Sequence, residues 1–309
     1  MTRKPEVSLL SSAYRPQNWL AFYDSIGPSD VPFEFVFVGP NEPQFALPEN
    51  FRFIRTDVKP TQCFEIAFRN STAEHVMCVA DDCEFVTSKP LEKLMKLYRS
   101  SNDPKCIVSC RYMMNGFDHS ESAHHYFYGD KQSPVMPLSG LSSKKLIEKL
   151  GGIDRNFIAV MWDLDLAMRV HQDGGQVVLS DVYLNEDKNR SAGSVLCAEF
   201  WNRDRSLLDE LWTANGKVLH ERKRRVEPFV DRGITNGSQG PRGRWRGRGP
   251  KVFEILSDRA VKTAEDIGRF GERVTSILSR NIKRLSSFRK YPEYMKKMIY
   301  GKTAAKRKS

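Results

Sequence analysis

From residue 7 to residue 113 the sequence alternates strand-like apolar runs with helical segments, and this alternation limits the fold more than any other feature. The stretches "VSLLSSAY" (7–14), "FEFVFVGPNEP" (33–43), "FRFIRTD" (51–57), "EHVMCVADDCEF" (74–85) and "KCIVSCRYM" (105–113) read as strands rich in β-branched and aromatic residues. Between them, "QNWLAFYDSIG" (17–27), "PTQCFEIAFRNST" (60–72) and "PLEKLMKLYRSS" (90–101) have helical spacing. The first closes on Gly27 and the last opens on Pro90. A strand joined to the next through a helix pairs with it in parallel. The expected fold class is therefore α/β, a Rossmann-like, mostly parallel sheet flanked by helices. Ligands of such sheets bind at the carboxyl ends of the strands.

The acids of "VADDCEF" stand at such an end. Asp81 and Asp82 follow "VMCVA" with no turn residue between, and Glu84 comes two positions on. Adjacent carboxylates repel, so a cation or a hydroxyl-rich ligand stabilises them. A hard divalent ion takes carboxylate oxygens and keeps positions open for phosphate. The plainer reading is a strand-end turn in which Asp82 caps the next segment. A second acidic pair, Asp163 and Asp165, interrupts the apolar run "VMWDLDLAMRV" (160–170). It opens a helix that stops at Gly174-Gly175. Before it lies the helix "SSKKLIEKLGG" (142–152), with a serine cap and a Gly-Gly stop, and after it the strand "QVVLSDVYL" (176–184). Acids in a first helical turn are favoured by its unpaired N–H groups and dipole, so a capped helix with surface acids is the plainer reading here too.

In order and separation these motifs resemble the family-2 glycosyltransferases of the GT-A fold. That family has a strand ending in an Asp-rich metal motif, then a Gly-Gly-hydrophobic-Asp loop, then an acidic-Asp-x-Asp-Leu helix start with an arginine about four residues on. The chain supplies Asp81-Asp82, "GGIDRNF" (151–157) and "WDLDLAMR" (162–169), and "NRDRSLLDELW" (202–212) is similar to the segment that closes such domains. The resemblance covers about residues 5–215.

It implies a GT-A domain at 1–215 that acts as a metal-dependent, inverting glycosyltransferase of the hexosyltransferase type. Such an enzyme moves a sugar from a nucleoside-diphosphate donor, UDP-linked in most relatives, to a hydroxyl of a glycan or lipid-linked saccharide. By the same resemblance, Asp81 contacts the ribose and Asp82 holds Mn²⁺ or Mg²⁺ on the diphosphate, with Glu84 a further candidate ligand. Asp163 is then the general base for the acceptor hydroxyl. Tyr14 matches an aromatic position near the nucleobase, and Asn41 or Glu42 stands where the family has an acid that reads the base. Cys83 replaces the third acid of the metal motif. Trp162 replaces the acid before the general base and is available to stack on an acceptor sugar. Absence of the Gln-x-x-Arg-Trp signature of processive synthases implies one sugar per encounter. The chemistry suits these residue types: a cation stabilises charge on a leaving phosphate, and a positioned carboxylate takes the acceptor proton. Asp165 is expected to pair with Arg169 at i, i+4. His124 and His125, in "SESAHHYFYGD" (120–130), lie on a loop between the two clusters, either as acceptor or diphosphate contacts or as a structural pair.

The formal charge of +11 conceals an asymmetry. Residues 217–309 carry 26 Lys and Arg against 9 Asp and Glu, whereas residues 1–216 carry 23 against 29. Residues 216–251 read as an Arg/Gly-rich linker containing "PRGRWRGRG". Residues 252–309 read as a basic, mainly helical extension with apolar residues at spacings of three and four. This region suits an anionic membrane surface, nucleic acid, or packing on the chain itself. A nucleic-acid-binding protein with an inactive transferase-like body is accordingly the rival reading, and an enzyme acting on modified DNA bases is the hybrid. No apolar run reaches the roughly 20 residues of a membrane span. "MTRKPEVSLLSSAY" lacks the apolar core of a secretory signal, and the six cysteines show neither CxxC nor His/Cys metal spacing. The expected location is the cytoplasm, peripheral to a membrane if the extension binds one.

Overall fold

The computed structural model describes residues 3–226 apart from 115, 119, 121–125, 132, 136–138, 187–193 and 217, with side chains left undescribed over 194–199. All of them fall within one unit of the chain, Met1–Phe253. In chain order the first elements are β1 (Val7–Ser12), α1 (Trp19–Ile26), β2 (Phe33–Gly39), β3 (Phe51–Arg55) and α2 (Pro60–Asn70). Next come β4 (His75–Cys78), β5 (Cys83–Phe85), α3 (Pro90–Ser101), β6 (Cys106–Met114) and β7 (Phe117–Asp118). They are followed by β8 (Phe127–Tyr128), β9 (Ser133–Pro134), β10 (Gly140–Ser143), α4 (Lys144–Lys149) and α5 (Trp162–Gln172). The last are β11 (Gln176–Glu186), α6 (Ser194–Leu211), β12 (Trp212–Asn215) and β13 (Val218–Arg222).

The main sheet has the order β3-β2-β1-β4-β10-β6-β11-β5, with β7 on β6. β1 and β2, joined through α1, pair in parallel as the alternation of elements predicts, and β2–β3, β1–β4 and β6–β11 are parallel as well. Alternate residues of each strand bury opposite faces. On one face, Leu9, Phe35, Phe37, Met77, Val108 and Leu184 pack with Trp19 and Phe22 of α1 and Leu91, Leu94 and Met95 of α3. The other face carries α2, α4 and α5: Val76 and Ile107 line a small cavity with Phe68, Ile147, Leu166 and Ala167. The aromatic-rich second strand is explained by this packing, since Trp19 meets Phe37 edge-on at 5.4 Å and stacks on Phe51 at 5.8 Å.

Three features differ from the sequence reading. The single strand expected over 74–85 is two: β4 stops at Cys78, the chain turns through Asp81-Asp82, and β5 crosses to pair antiparallel with β11. β10 runs antiparallel between β4 and β6 and takes in the serines expected only as a helix cap. Its sequence, Gly-Leu-Ser-Ser, offers one apolar side chain, too few to carry a period-two pattern. Finally, β13 joins a small sheet of order β12-β13-β8-β9, so the linker expected from residue 216 does not begin there. The run Val218–Arg222 forms a strand in which Leu219 is buried and Arg222 turns inward onto buried acids. The extension at 252–309 and most of the 216–251 segment lie outside the described residues. Among the described residues, no helix is long and apolar enough to cross a membrane.

Candidate active site

At the carboxyl ends of β1 and β4 the two adjacent acids have different surroundings. Asp81 is fully buried and saturated. Its Oδ2 accepts the backbone N–H groups of Tyr14 and Arg15, both at 2.6 Å, and the Trp19 indole N–H at 3.3 Å. Its Oδ1 accepts Arg15 Nε at 2.9 Å and Arg15 Nη2. The residue expected at the ribose thus anchors the β1–α1 loop. Tyr14, half-buried, gives its carbonyl to the Asn41 side-chain amide at 2.7 Å, which ties the loop after β2 to the loop after β1. That approach needs glycine at 39, since a Cβ there would lie 1.6 Å from the Ala13 carbonyl oxygen. Glu42 is exposed, 3.8 Å from Arg55.

Asp82 is 5% exposed, yet neither carboxylate oxygen has a hydrogen bond. Arg15 Nη1 lies 2.6 Å from Oδ2, close enough for an ion pair but outside hydrogen-bond geometry. Burial, opposed by Arg15 and reinforced by Glu186 and Asp81, pushes the Asp82 carboxyl up to about 7. Glu186, at the end of β11, is absent from the sequence reading. Its partner is the buried Tyr112 hydroxyl, which in turn accepts the Cys83 thiol at 3.4 Å. β5 carries the acids over to β11, where Cys83 pairs with Glu186 and Glu84 with Asn185. No sequence motif marks Glu186; only the antiparallel turn of β5 brings it to Asp82. A buried carboxylate without hydrogen bonds, beside a second one, is a donor set suited to a hard divalent cation. Among the described residues no cluster of three His, Cys, Asp or Glu has metal-holding geometry, so such an ion would need further ligands from outside these side chains.

The second cluster sits at the start of α5. Met161, the residue before the helix, has φ +68°, a left-handed conformation costly for a side chain of its kind. Asp163 follows two residues on, and its Oδ1 accepts its neighbour Leu164's N–H at 2.9 Å. It lines the cavity over Cys78, the last residue of β4, and its charge adds to burial in raising that thiol's pKa. Both acidic groups are therefore near the carboxyl end of the same strand, four residues apart from Cys78 to Asp82. The cavity measures about 30 Å³, room for about two waters rather than a sugar. Trp162 is 8% exposed with its ring 4.5 Å from that of Phe64. This packing covers most of the indole that was expected to stack on an acceptor.

Asp165 is structural, as its spacing to Arg169 suggests. Its Oδ2 accepts Arg169 Nε, and its Oδ1 accepts Trp212 Nε1 and Arg222 Nε, all at 2.9 Å. Arg222 also reaches Asp154 of the "GGIDRNF" loop, while Arg169 Nη1 donates to the carbonyls of Leu150 and Gly152. At Gly152, φ is +81° and a Cβ would stand 2.7 Å from the Glu65 carboxylate, which explains the Gly-Gly. Asp204 of α6 accepts the N–H groups of Ile158, Ala159 and Val160, so the loop before α5 is held from the far side. Lys59, buried at the start of α2, donates to the Arg155 carbonyl at 2.9 Å, and burial with help from Arg203 brings its pKa down to about 8. His124 and His125 lie outside the described residues.

No family model matches the chain, and no curated protein matches it. Among solved structures, S. aureus TarS residues 1–349 is similar at 12% identity and a TM-score of 0.44, over 59% of this chain and 60% of that one. The same TarS fragment in complex with UDP has 12% identity and a TM-score of 0.44, over 60% and 62%. GalNAc-T7 with UDP, GalNAc and Mn²⁺ has 9% identity and a TM-score of 0.43, over 60% of this chain and 44% of that one. The chain thus spans less than two thirds of the length of each of these structures.

Proposed function

We propose that the protein is a glycosyltransferase of GT-A type. It transfers a sugar, with inversion, from a nucleoside-diphosphate donor, UDP-linked by preference, to a hydroxyl acceptor. The observation that carries the reading is the pairing of Asp82, buried without hydrogen bonds beside Glu186, with Asp163 over the end of the same strand. In this reading Asp82 and Glu186, rather than Asp82 and Glu84 alone, hold a divalent cation, Mn²⁺ or Mg²⁺. When bound, the cation supplies charge stabilisation for the departing diphosphate.

The chain's own residues do the rest. Asp81 fixes the loop of Tyr14 and Arg15 at the nucleotide end, with Asn41 bracing it from β2. Asp163 takes the proton of the attacking hydroxyl. With no protein nucleophile in the proposed set, the displacement is a single step. Residues 1–215, extended by β13, form the catalytic body, and the basic region from about 227 recruits an anionic surface that carries the acceptor. That acceptor is a glycan or lipid-linked saccharide.

The test is a thermal-shift screen of nucleotide sugars with and without Mn²⁺, followed by donor hydrolysis. A metal-dependent rise in melting temperature that disappears in Asp82→Asn supports the reading. A chain that binds nucleic acid tightly and shows no response to any nucleotide sugar would be the inactive, nucleic-acid-binding relative instead.

A further inference from the structure

Arg15 is the cation already at Asp82, held there by its bonds to Asp81. Its backbone N–H, Nε and Nη2 all bond to Asp81, which is itself fully buried. Only Nη1 is turned to Asp82, at 2.6 Å from Oδ2 and without a hydrogen bond. The guanidinium therefore neutralises part of the charge at Asp82 but does not satisfy its oxygens, and Glu186 feels the same positive charge. A divalent ion on Asp82 would stand a few ångströms from a fixed like charge in a desolvated site, where such repulsion is strong. A diphosphate removes the conflict, because its oxygens accept from a guanidinium and a metal at once.

We infer that Arg15 makes divalent-cation binding at Asp82 conditional on a diphosphate: the guanidinium stays on Asp81 and exchanges Asp82 for a phosphate oxygen as the cation takes Asp82. The inference rests on the nucleotide-diphosphate reading above and adds to it a coupling between the two ligands. Cation alone binds weakly, diphosphate alone binds weakly, and each promotes the other by the same factor.

Binding of Mn²⁺ to the full chain, followed by the electron-spin-resonance signal of free Mn²⁺ with and without UDP and corrected for the Mn²⁺–UDP complex in solution, measures that factor directly. In the unmodified protein it should be about 10- to 100-fold. Arg15→Gln should tighten Mn²⁺ binding in the absence of UDP and so lower the factor, leaving only what direct metal–phosphate contact supplies, whereas Arg15→Lys, which keeps the charge, should leave Mn²⁺ alone as weakly bound as before. Equal Mn²⁺ affinity with and without UDP in the unmodified protein overturns the inference, and this result stands even if Arg15→Gln fails to fold. An unchanged factor in a folded Arg15→Gln protein also overturns it. UDP binding without coupling sinks the inference alone, while absence of any UDP binding sinks the nucleotide reading and the inference with it.

Discussion

Asp81 and Asp82 are neighbours in the chain with opposite circumstances, one holding five donors and the other none by hydrogen bond. Spacing and residue type do not separate them; only the family resemblance assigns them different roles. What separates them is the turn after β4, which aims Asp81 into the β1–α1 loop and leaves Asp82 toward Glu186. A similar division holds on α5: Asp165 is enclosed by Arg169, Trp212 and Arg222, while Asp163 accepts its neighbour Leu164's N–H and lines the cavity over β4. Asp163→Asn should therefore lower turnover at least about 100-fold, the usual scale of a lost general base, while UDP-dependent stabilisation persists; equal loss of both would assign Asp163 to donor binding. Lys59 offers a test by pH. Its folded pKa, about 8, lies below the ordinary lysine value of 10.5, so between those values the unfolded chain holds more protons and stability rises with pH. Relative to Lys59→Met, the unmodified protein should gain up to about 3 kcal/mol across that window in urea unfolding. Parallel pH profiles would contradict the buried, partly neutral lysine.

Among the elements, the parallel half of the sheet was legible because β1, β2, β3 and α1 to α3 carry strong apolar periodicity and conventional stops. β10 and β13 were not, for a physical reason: each is held by polar interactions or by neighbours rather than by its own apolar pattern. β13 is tied by Arg222, whose guanidinium bonds Asp165 and Asp154 in the interior. In a linker-like run such as "HERKRR" nothing distinguishes the one arginine that turns inward from those that face water. Glu186 escaped for the same reason, being an ordinary acid at a strand end until β5 pairs beside it. Removing Arg222 should be far costlier than removing a surface arginine, since it leaves two buried carboxylates short of their partner. Arg222→Ala should cost about 3–5 kcal/mol in denaturant unfolding, against less than about 0.5 for Arg52→Ala, whose side chain is about half exposed.

For the molecule as a whole, charge is divided by position: residues 227–309 hold 21 Lys and Arg against 8 Asp and Glu, while residues 1–226 are close to balance, 28 against 30. Replacing Arg242, Arg244, Arg246 and Arg248 with Gln in the full chain should weaken co-sedimentation with anionic lipid vesicles and flatten its salt dependence. Mn²⁺–UDP stabilisation should not move. Stronger retention on duplex DNA than on vesicles in the unmodified protein would assign the extension to nucleic acid.

The clamp that joins Asp165 to Arg222 also dates the completion of the protein during its synthesis. The first four parallel strands, β1 to β4, have all their sheet partners among themselves except β10, so they can assemble while the ribosome is still reading the middle of the message. The helix that bears Asp163 must wait for a side chain added 57 residues after Asp165. A ribosome that stalls in that interval would leave a chain with β1 to β4 nearly assembled and the start of α5 still unfastened.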